Sequence, residues 1–177
     1  MEVIEHLPSH IPCSIMEGSQ NLGFSLPKFE QSNFKIMETT SKTQITIKAV
    51  IDAPIEKVWK LWTGPEHIIK WNAAADDWHT PRATKDLHVG GRFTSRMEAK
   101  DGSFGFDFGG VYNEVKIHQL IAYTMDDGRK AKIVFTDQAN KTKVVIIFDA
   151  ESVNSLEQQR GGWQAILNNF KKYSEAN

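Results

Sequence analysis

The sequence has a single cysteine and no marked excess of basic or acidic residues. Cys13 is the single cysteine among 177 residues, which excludes an internal disulfide and a cysteine-based structural zinc site and suits a reducing compartment. Twenty-one basic residues face 22 acidic ones, for a formal net charge of -1. Because no overall field would attract phosphate backbones or anionic membranes, we expect no nucleic-acid partner.

Long apolar runs and catalytic motifs are also lacking. No apolar run reaches the ~18 to 20 residues that span a bilayer, and the segment Met1–Glu5 lacks the basic start of a secretory signal. We therefore expect a cytoplasmic protein with no membrane span. A polar region contains Asp76, Asp77, His79 and His88, but their spacing is not that of a metal site. No nucleophile elbow or phosphate-binding loop is present either. We therefore expect no metal, no cofactor and no catalytic residue.

Two regions differ in their patterning. Residues 1–42 contain Pro8, Pro12 and Pro27 and keep no sustained period, which predicts a loosely ordered N-terminal extension. Residues 43–177 have regular patterning throughout and predict one domain, large enough to bury a core and still leave a cavity.

The predicted domain begins with a strand and two short helices. Thr43–Ile51 alternates β-branched and polar residues, which is typical of a half-buried strand. Asp52-Ala53-Pro54 then supplies a capping carboxylate and a first-turn proline for a short amphipathic helix. Thr63-Gly64-Pro65 ends that helix, and Glu66–Trp71 predicts a second one.

A run of strands and a final helix follow. The segment from Asn72 to Lys85 is polar and leads into a strand-like Leu87–Val89, and Gly90-Gly91 indicates a hairpin turn. Later strands are predicted at Arg92–Glu98, Phe104–Val115, Leu120–Met125, Ala131–Thr136 and Thr142–Glu151. Ser155 and Gln158 have the spacing of a capping box, and the helix they begin is predicted to run to about Tyr173.

This order predicts an α+β fold. A meander of six to seven antiparallel strands is strongly twisted and has one apolar face that must be covered. The last helix is the longest and would lie across the concave face, leaving a space beneath its apolar side. The sequence therefore predicts a cavity between the sheet and the C-terminal helix.

The chain resembles the heat shock protein 90 ATPase activator homologues of the START-like (SRPBCC) superfamily, which includes polyketide cyclases and lipid-transfer domains. The resemblance spans Thr43 to Tyr173. Its carriers are Asp52-Ala53-Pro54 with Val58-Trp59 and Trp62-Thr63, Val89-Gly90-Gly91-Arg92-Phe93, Asp101-Gly102-Ser103-Phe104, Phe106-Asp107-Phe108-Gly109-Gly110 and Gln159-Arg160-Gly161-Gly162-Trp163. It implies the helix-grip (START-like, Bet v-like) fold, a hydrophobic cavity and a chaperone as an alternative partner. The eukaryotic co-chaperones carry this domain behind a separate chaperone-binding domain, for which the first forty residues are too short.

An aromatic lining is predicted from the strand and helix periods. Residues two apart share a face of a strand, and residues at helical spacing share a face of a helix. The predicted cavity-lining and ligand-binding residues are Trp59, Trp62, Trp71, Phe93, Ser95, Met97, Phe106, Phe108, Gly110, Tyr112, Trp163, Ile166, Leu167 and Phe170. Tyr112 and Ser95, with Asp107 or Arg96, would be polar contacts for a ligand. The alternative is a solidly packed aromatic core, since burying one such ring contributes roughly 4 to 6 kcal/mol.

Two glycine pairs bear on this alternative. Gly109-Gly110 removes side chains where the sheet faces the helix, which favours an open cavity. Gly161-Gly162 lies inside a helical pattern, where each glycine costs roughly 1 kcal/mol relative to alanine. We expect this second pair to allow a close approach of the helix to a strand, the alternative being a bend.

Three functions remain open from the sequence. The first is binding or carrying a small hydrophobic or aromatic molecule in the cavity, as a monomer or a homodimer. The second is a chaperone-associated interaction module, which follows from the family resemblance. The third is a cyclase-like enzyme, in which Tyr112 with Arg96 or Asp107 would transfer protons.

Overall fold

The computed structural model describes residues 42–177, and the extension predicted for residues 1–42 lies almost entirely outside them. Seven strands and three helices follow one another as β1 (Gln44–Ile51), α1 (Ile55–Thr63), α2 (Pro65–Trp71), β2 (Trp78–Lys85), β3 (Arg92–Ala99), β4 (Gly105–Lys116), β5 (Leu120–Met125), β6 (Lys130–Gln138), β7 (Lys141–Asp149) and α3 (Leu156–Ala176).

The strands form one antiparallel sheet in the order β1-β7-β6-β5-β4-β3-β2. Every strand from β2 to β6 pairs with the next strand in the chain, because short turns suffice between antiparallel neighbours. The first strand pairs with the last, and β1 and β2 are the two edges. This arrangement confirms the predicted α+β helix-grip fold with a meander and a long C-terminal helix.

Helices α1 and α2 close one end of the sheet through their tryptophans. Trp59 packs edge-on against Phe135 of β6, with ring centroids 5.2 Å apart. Trp62 stacks on Trp71 of α2 at 5.0 Å, and the Trp71 indole N–H donates to the Leu61 carbonyl at 3.2 Å. The apolar residues of both short helices therefore belong to the core.

The long helix α3 is fixed at its start by the predicted capping box. The Gln158 backbone N–H donates to the Ser155 hydroxyl, and the Ser155 N–H donates to the Gln158 side-chain oxygen, both at 3.1 Å. The buried Gln159 side chain ties the same turn to β7 by accepting from the Glu151 N–H at 2.9 Å. Satisfying these backbone groups sets the angle at which the helix leaves the sheet.

The position of α3 relative to the sheet leaves space beneath its first half. Its backbone lies closest to β1, α1 and α2. Toward the middle strands the gap is bridged by side chains, among which Trp163 stacks on Phe148 of β7 at 4.1 Å. Farther along, Phe170 fills the gap against Trp62 and Trp71, at 4.7 and 4.8 Å.

Two local predictions in the first half of the domain are wrong. The predicted strand at Leu87–Val89 is absent. The strand before Gly90-Gly91 is instead β2, which lies within the stretch from Asn72 to Lys85 that was predicted only to be polar. As an edge strand, β2 pairs on one side, and a register shift between His79 and Arg82 accommodates Pro81. The Asp52 carboxylate caps no helix but lies 3.5 Å from the Lys141 amine.

Candidate functional site

A cavity of about 480 Å³ lies between the concave face of the sheet, helix α2 and the first half of α3. Its wall is mainly apolar, and it includes side chains from every strand from β2 to β7. The lining comprises Trp62, Ile68, Trp71, Asn72, Ala74, Ala75, Trp78, Lys85, Phe93, Ser95, Met97, Phe106, Phe108, Tyr112, Ile121, Tyr123, Arg129, Ile133, Ile146, Glu151, Asn154, Gln158, Gln159, Gly162, Trp163 and Ile166.

The exposed members of this lining mark where the cavity meets solvent. Ala74 and Ala75 come from the loop after α2, Phe106 from the start of β4, and Asn154 and Gln158 from the start of α3. The Phe106 ring is 42% exposed, which places an apolar side chain at the edge of this mouth. The opposite end is buried, so a ligand would enter between β4 and α3.

Aromatic rings form the middle of the wall. The Phe93 ring lies 5.2 Å from Tyr112 and 4.8 Å from Tyr123, and Phe108 is perpendicular to Trp163 at 5.9 Å. Such ring contacts, of which the Phe93–Tyr123 and Phe108–Trp163 pairs are edge-to-face, hold the rings in place. The wall is therefore preformed and apolar, as in most small-molecule sites.

Lys85 introduces an amine at the buried end. The residue is half-buried at the end of β2, and its amine donates to the Trp62 carbonyl at 3.0 Å. Burial lowers the pKa of this amine from 10.5 to about 7, because a charged ammonium loses its hydration there. Near neutral pH the amine is thus poised between its charged and neutral forms.

Tyr112 adds a phenol to the cavity wall. The residue is 2% exposed and lines the cavity, and within residues 42–177 no group hydrogen-bonds its hydroxyl. Burial is the main cause that raises the pKa of this phenol above its ordinary value, so the group stays protonated. A buried hydroxyl without a partner loses its bond to water, which leaves it available to a ligand.

The polar residues near the mouth already have partners. Arg129 donates to the Asp127 carboxylate, with Nε to Oδ2 at 2.8 Å. The backbone N–H of Val153 and that of Asn154, the latter at 2.8 Å, donate to the Glu151 carboxylate and lower the pKa of its carboxyl. The charged groups near the mouth are therefore paired.

Most of the predicted site residues are brought together at this cavity. The lining includes the predicted Trp62, Trp71, Phe93, Ser95, Met97, Phe106, Phe108, Tyr112, Trp163 and Ile166. The alternative of a solidly packed interior does not hold for the space under the first half of α3.

The other predicted residues lie outside the lining, each for a packing reason. Leu167 and Phe170 are fully buried where α3 comes down onto the short helices. Trp59 is on the far side of α1, against Phe135 and His118. At Gly110 a Cβ would lie 2.4 Å from the Thr124 carbonyl oxygen, so this glycine serves the close approach of β5 and does not create the cavity.

The expected role of Gly161-Gly162 is also wrong. A Cβ built at either glycine would meet nothing within 4 Å, so neither glycine is needed for close packing against a strand. Gly162 lines the cavity, whereas Gly161 lines a separate surface depression with Thr46, Lys48 and Gln164. The absent side chain at position 162 therefore enlarges the cavity itself.

Arg96 and Asp107 do not join Tyr112. They are cross-strand partners in β3 and β4, with the Arg96 guanidinium 3.7 Å from the Asp107 carboxylate. Because neighbouring residues of a strand point to opposite faces, this pair lies on the convex face, away from the cavity-lining Ser95, Met97 and Phe108. The proton-transfer set considered from the sequence is thus divided between two faces of the sheet.

Lys85 is the main site residue that sequence reasoning missed. A lysine in a polar stretch is ordinarily solvated, and its inward direction depends on the register that pairs Lys85 with Phe93. Had the strand been assigned to Trp78–Lys85, the shared face of cross-strand partners would have placed Lys85 beside the aromatic wall.

Comparisons with known proteins agree with this geometry. The family model described as Activator of Hsp90 ATPase homolog 1-like protein matches residues 52–175. The chain belongs to this family. No curated protein matches the chain.

Solved structures are similar to the chain as well. The solution structure of the AHSA1-like protein from Aeromonas hydrophila is 47% identical, with a TM-score of 0.72, and the match covers 76% of this chain and 93% of that one. A Cytophaga hutchinsonii protein is 54% identical over 76% of this chain and 93% of its own, with a TM-score of 0.67. A Nitrosomonas europaea protein at 20% identity, with a TM-score of 0.65 over 75% and 94% of the two chains, shares the fold.

Neither a membrane helix nor a metal cluster occurs in the part of the chain that the structure describes. No helix between residues 42 and 177 has the length and apolar character to cross a bilayer. In the same range no three His, Cys, Asp or Glu side chains converge on one point. His79 contacts Glu98 at 3.3 Å and His88 contacts Asp86 at 2.9 Å, as separate pairs.

Proposed function

We propose that this AHSA1-like protein binds or carries a small hydrophobic molecule in the cavity beneath α3. The observation that carries the proposal is the preformed cavity of about 480 Å³ with its aromatic wall. This volume lies within the roughly 300 to 1,000 Å³ typical of small-molecule sites. The cavity is open to solvent near Phe106 and buried at its inner end. A small hydrophobic molecule could therefore enter at the mouth and place its apolar part among the aromatic rings.

The glycine pair offers a matched test of this proposal. Gly162→Leu puts a side chain into the cavity, whereas Gly161→Leu makes the same change one residue earlier, outside the cavity lining. Both variants replace a helical glycine by a good helix former, so both should fold at least as stably as the wild type. Any difference between them reports on the cavity.

Decanol serves as the neutral probe, with binding measured by calorimetry. We expect Gly162→Leu to weaken decanol binding by about tenfold or more, and Gly161→Leu to leave it unchanged. The proposal fails if the wild-type protein binds neither decanol nor the corresponding acid decanoate, or if both variants bind these probes as the wild type does.

A second candidate is a chaperone-associated module, which the family description favours. An aromatic patch formed by Trp78, Phe104 and Phe106 is the surface that supports it, since Phe104 is 63% exposed and contacts both other rings. Exposed apolar residues grouped in this way are typical of protein contacts. Capture of purified heat shock protein 90, lost in Phe104→Ser and kept in the exposed control Ile117→Ser, would support this role, and no capture by the wild type would end it.

A further inference from the structure

The buried end of the cavity holds a positive group without a negative partner. The Lys85 amine has the Trp62 carbonyl as its hydrogen-bond acceptor, and no carboxylate of residues 42–177 forms an ion pair with it. A buried ammonium is stable when a counter-charge accompanies it. An anion delivered by a ligand would supply that counter-charge.

The charged groups of the surrounding elements have other contacts. On α1, Lys60 is exposed, and on α2, Glu66 contacts His67, which also bonds the Tyr173 hydroxyl. The remaining neighbours pair as Asp86 with His88, Arg92 with Asp126, Arg96 with Glu98 and Asp107, and Glu114 with Lys116. Burial alone shifts the pKa of Lys85. The amine is therefore electrostatically isolated in the protein without ligand.

The unpartnered Tyr112 hydroxyl shares this part of the wall. Lys85 pairs with Phe93 across the β2–β3 ladder, and Phe93 pairs with Gly110 across the β3–β4 ladder. Tyr112 follows two residues after Gly110 and so shares its face, and the Tyr112 and Phe93 rings are 5.2 Å apart. The residues Lys85 and Tyr112 thus lie on either side of Phe93, and both line the cavity.

We propose that this inner end binds the carboxylate of an amphipathic ligand, with the Lys85 ammonium and the Tyr112 hydroxyl as its donors. The inference rests on the proposed function and names the class of ligand: an aliphatic or aromatic acid. A carboxylate has two acceptor oxygens and one charge, which matches one cation and one neutral donor. A phosphate dianion would keep a second charge buried without a partner.

Decanoate and decanol test this inference, because they share a chain and differ in the polar group. We expect the wild type to prefer decanoate at about pH 6, with the preference falling by about tenfold per pH unit above about 7 as the amine loses its proton. Decanol binding should not depend on pH over the same range. Calorimetry in two buffers of different ionisation enthalpy should also show uptake of a proton with decanoate near neutral pH.

Variants then assign the preference to its residues. Lys85→Met should remove both the preference and its pH dependence while decanol still binds, and the exposed control Lys60→Met should keep both. Tyr112→Phe should weaken decanoate binding by about tenfold, as expected for a lost hydrogen bond to a charged group, and leave decanol binding unchanged.

Each outcome separates the inference from the proposed function. If neither probe binds the wild type, the proposed function fails and the inference fails with it. If both probes bind equally at every pH, the cavity function stands and the carboxylate site is refuted. Loss of the decanoate preference in Arg129→Gln instead of Lys85→Met would also refute it, since Arg129 is a second cationic side chain of the cavity lining. The wild-type pH profile decides the matter even if Lys85→Met does not fold.

Discussion

Replacing Lys85 by methionine should change the pH dependence of the free energy of unfolding, whereas the same replacement of an exposed lysine should not. Methionine keeps the length and apolar character of the lysine stem and removes the amine. The amine is enclosed at the inner end of the cavity, where it donates to the Trp62 carbonyl at 3.0 Å. Two opposing effects therefore follow from one substitution.

The first effect comes from the lowered pKa of the amine. The pKa of the amine is 10.5 in the unfolded chain and about 7 in the folded protein. This difference means that the charged amine opposes folding by at most about 5 kcal/mol. Because the residue is only half-buried and water screens part of this charge, we take about 2 to 3 kcal/mol. This penalty is fully present below about pH 7 and disappears as the pH rises toward 10.5, where the unfolded lysine also becomes neutral.

The second effect is the lost hydrogen bond, which does not depend on pH in the same way. Leaving the Trp62 carbonyl without its donor costs about 1 kcal/mol. Lys85→Met should therefore stabilise the protein by about 1 to 2 kcal/mol at pH 6, and the gain should fall to zero or below near pH 10. For a domain of this size the gain corresponds to a rise in Tm of about 3 to 8 °C.

Urea unfolding of both proteins, followed by tryptophan fluorescence between about pH 6 and pH 10, measures this difference. Taking the difference between variant and wild type removes the contributions of all other titrating groups. The control Lys60→Met, at an exposed position of α1, should give a difference that stays within about 0.5 kcal/mol at every pH. Parallel stability curves for Lys85→Met and the wild type would show that water reaches the amine freely, and the reasoning about its burial would be refuted.

Four further expectations concern stability. Tyr112→Phe removes a buried hydroxyl without a partner, so thermal unfolding of the protein without ligand should show a gain of up to about 1 kcal/mol, and a clear loss would reveal a hidden partner. Gly162→Ala should stabilise by about 1 kcal/mol because its Cβ has free space, whereas Gly110→Ala should destabilise because its Cβ would lie 2.4 Å from a carbonyl oxygen; equal effects in urea unfolding would contradict this. Ser155→Ala breaks the capping box and should cost about 1 kcal/mol, while Ser155→Asp should retain most of the stability. Burial raises the pKa values of Tyr112 and Tyr123, so the folded protein keeps protons that the unfolded chain loses above about pH 10; stability should fall there, in step with a late appearance of tyrosinate absorbance.

The sequence predicted well the elements that depend on local signals. The strand Leu120–Met125 has the predicted bounds, and the capping box of Ser155 and Gln158 begins α3 as expected. Both depend on patterns within a few residues, namely period-two alternation and a side chain that reaches the backbone three residues away. The order of these elements predicted the meander and its covering helix, and the family resemblance, which the family model confirms, agrees with it.

What the sequence could not predict depends on contacts between distant residues. Strand β2 was missed because its edge position, which tolerates Pro81, is a property of the sheet and not of the segment. Missing β2 also hid Lys85, whose direction follows from its pairing with Phe93. Gly110 was interpreted as free space, although it is enclosed by the backbone of β5. In each case the deciding partner is far along the chain.

Three features of the cavity reduce the stability of the protein without ligand. The Lys85 amine is buried without a counter-charge, the Tyr112 hydroxyl has no partner among the described residues, and Gly162 weakens a helix where a larger side chain would fit. Packing alone would favour a different residue at each of these positions. Their shared property is that they line one cavity, and residues that are unfavourable for stability concentrate where binding needs them. A ligand with an apolar body and one carboxylate would offset the first two effects, because it supplies both the charge and the acceptor that the inner end lacks. Its apolar body would occupy the space that Gly162 leaves open, which a larger side chain would take away.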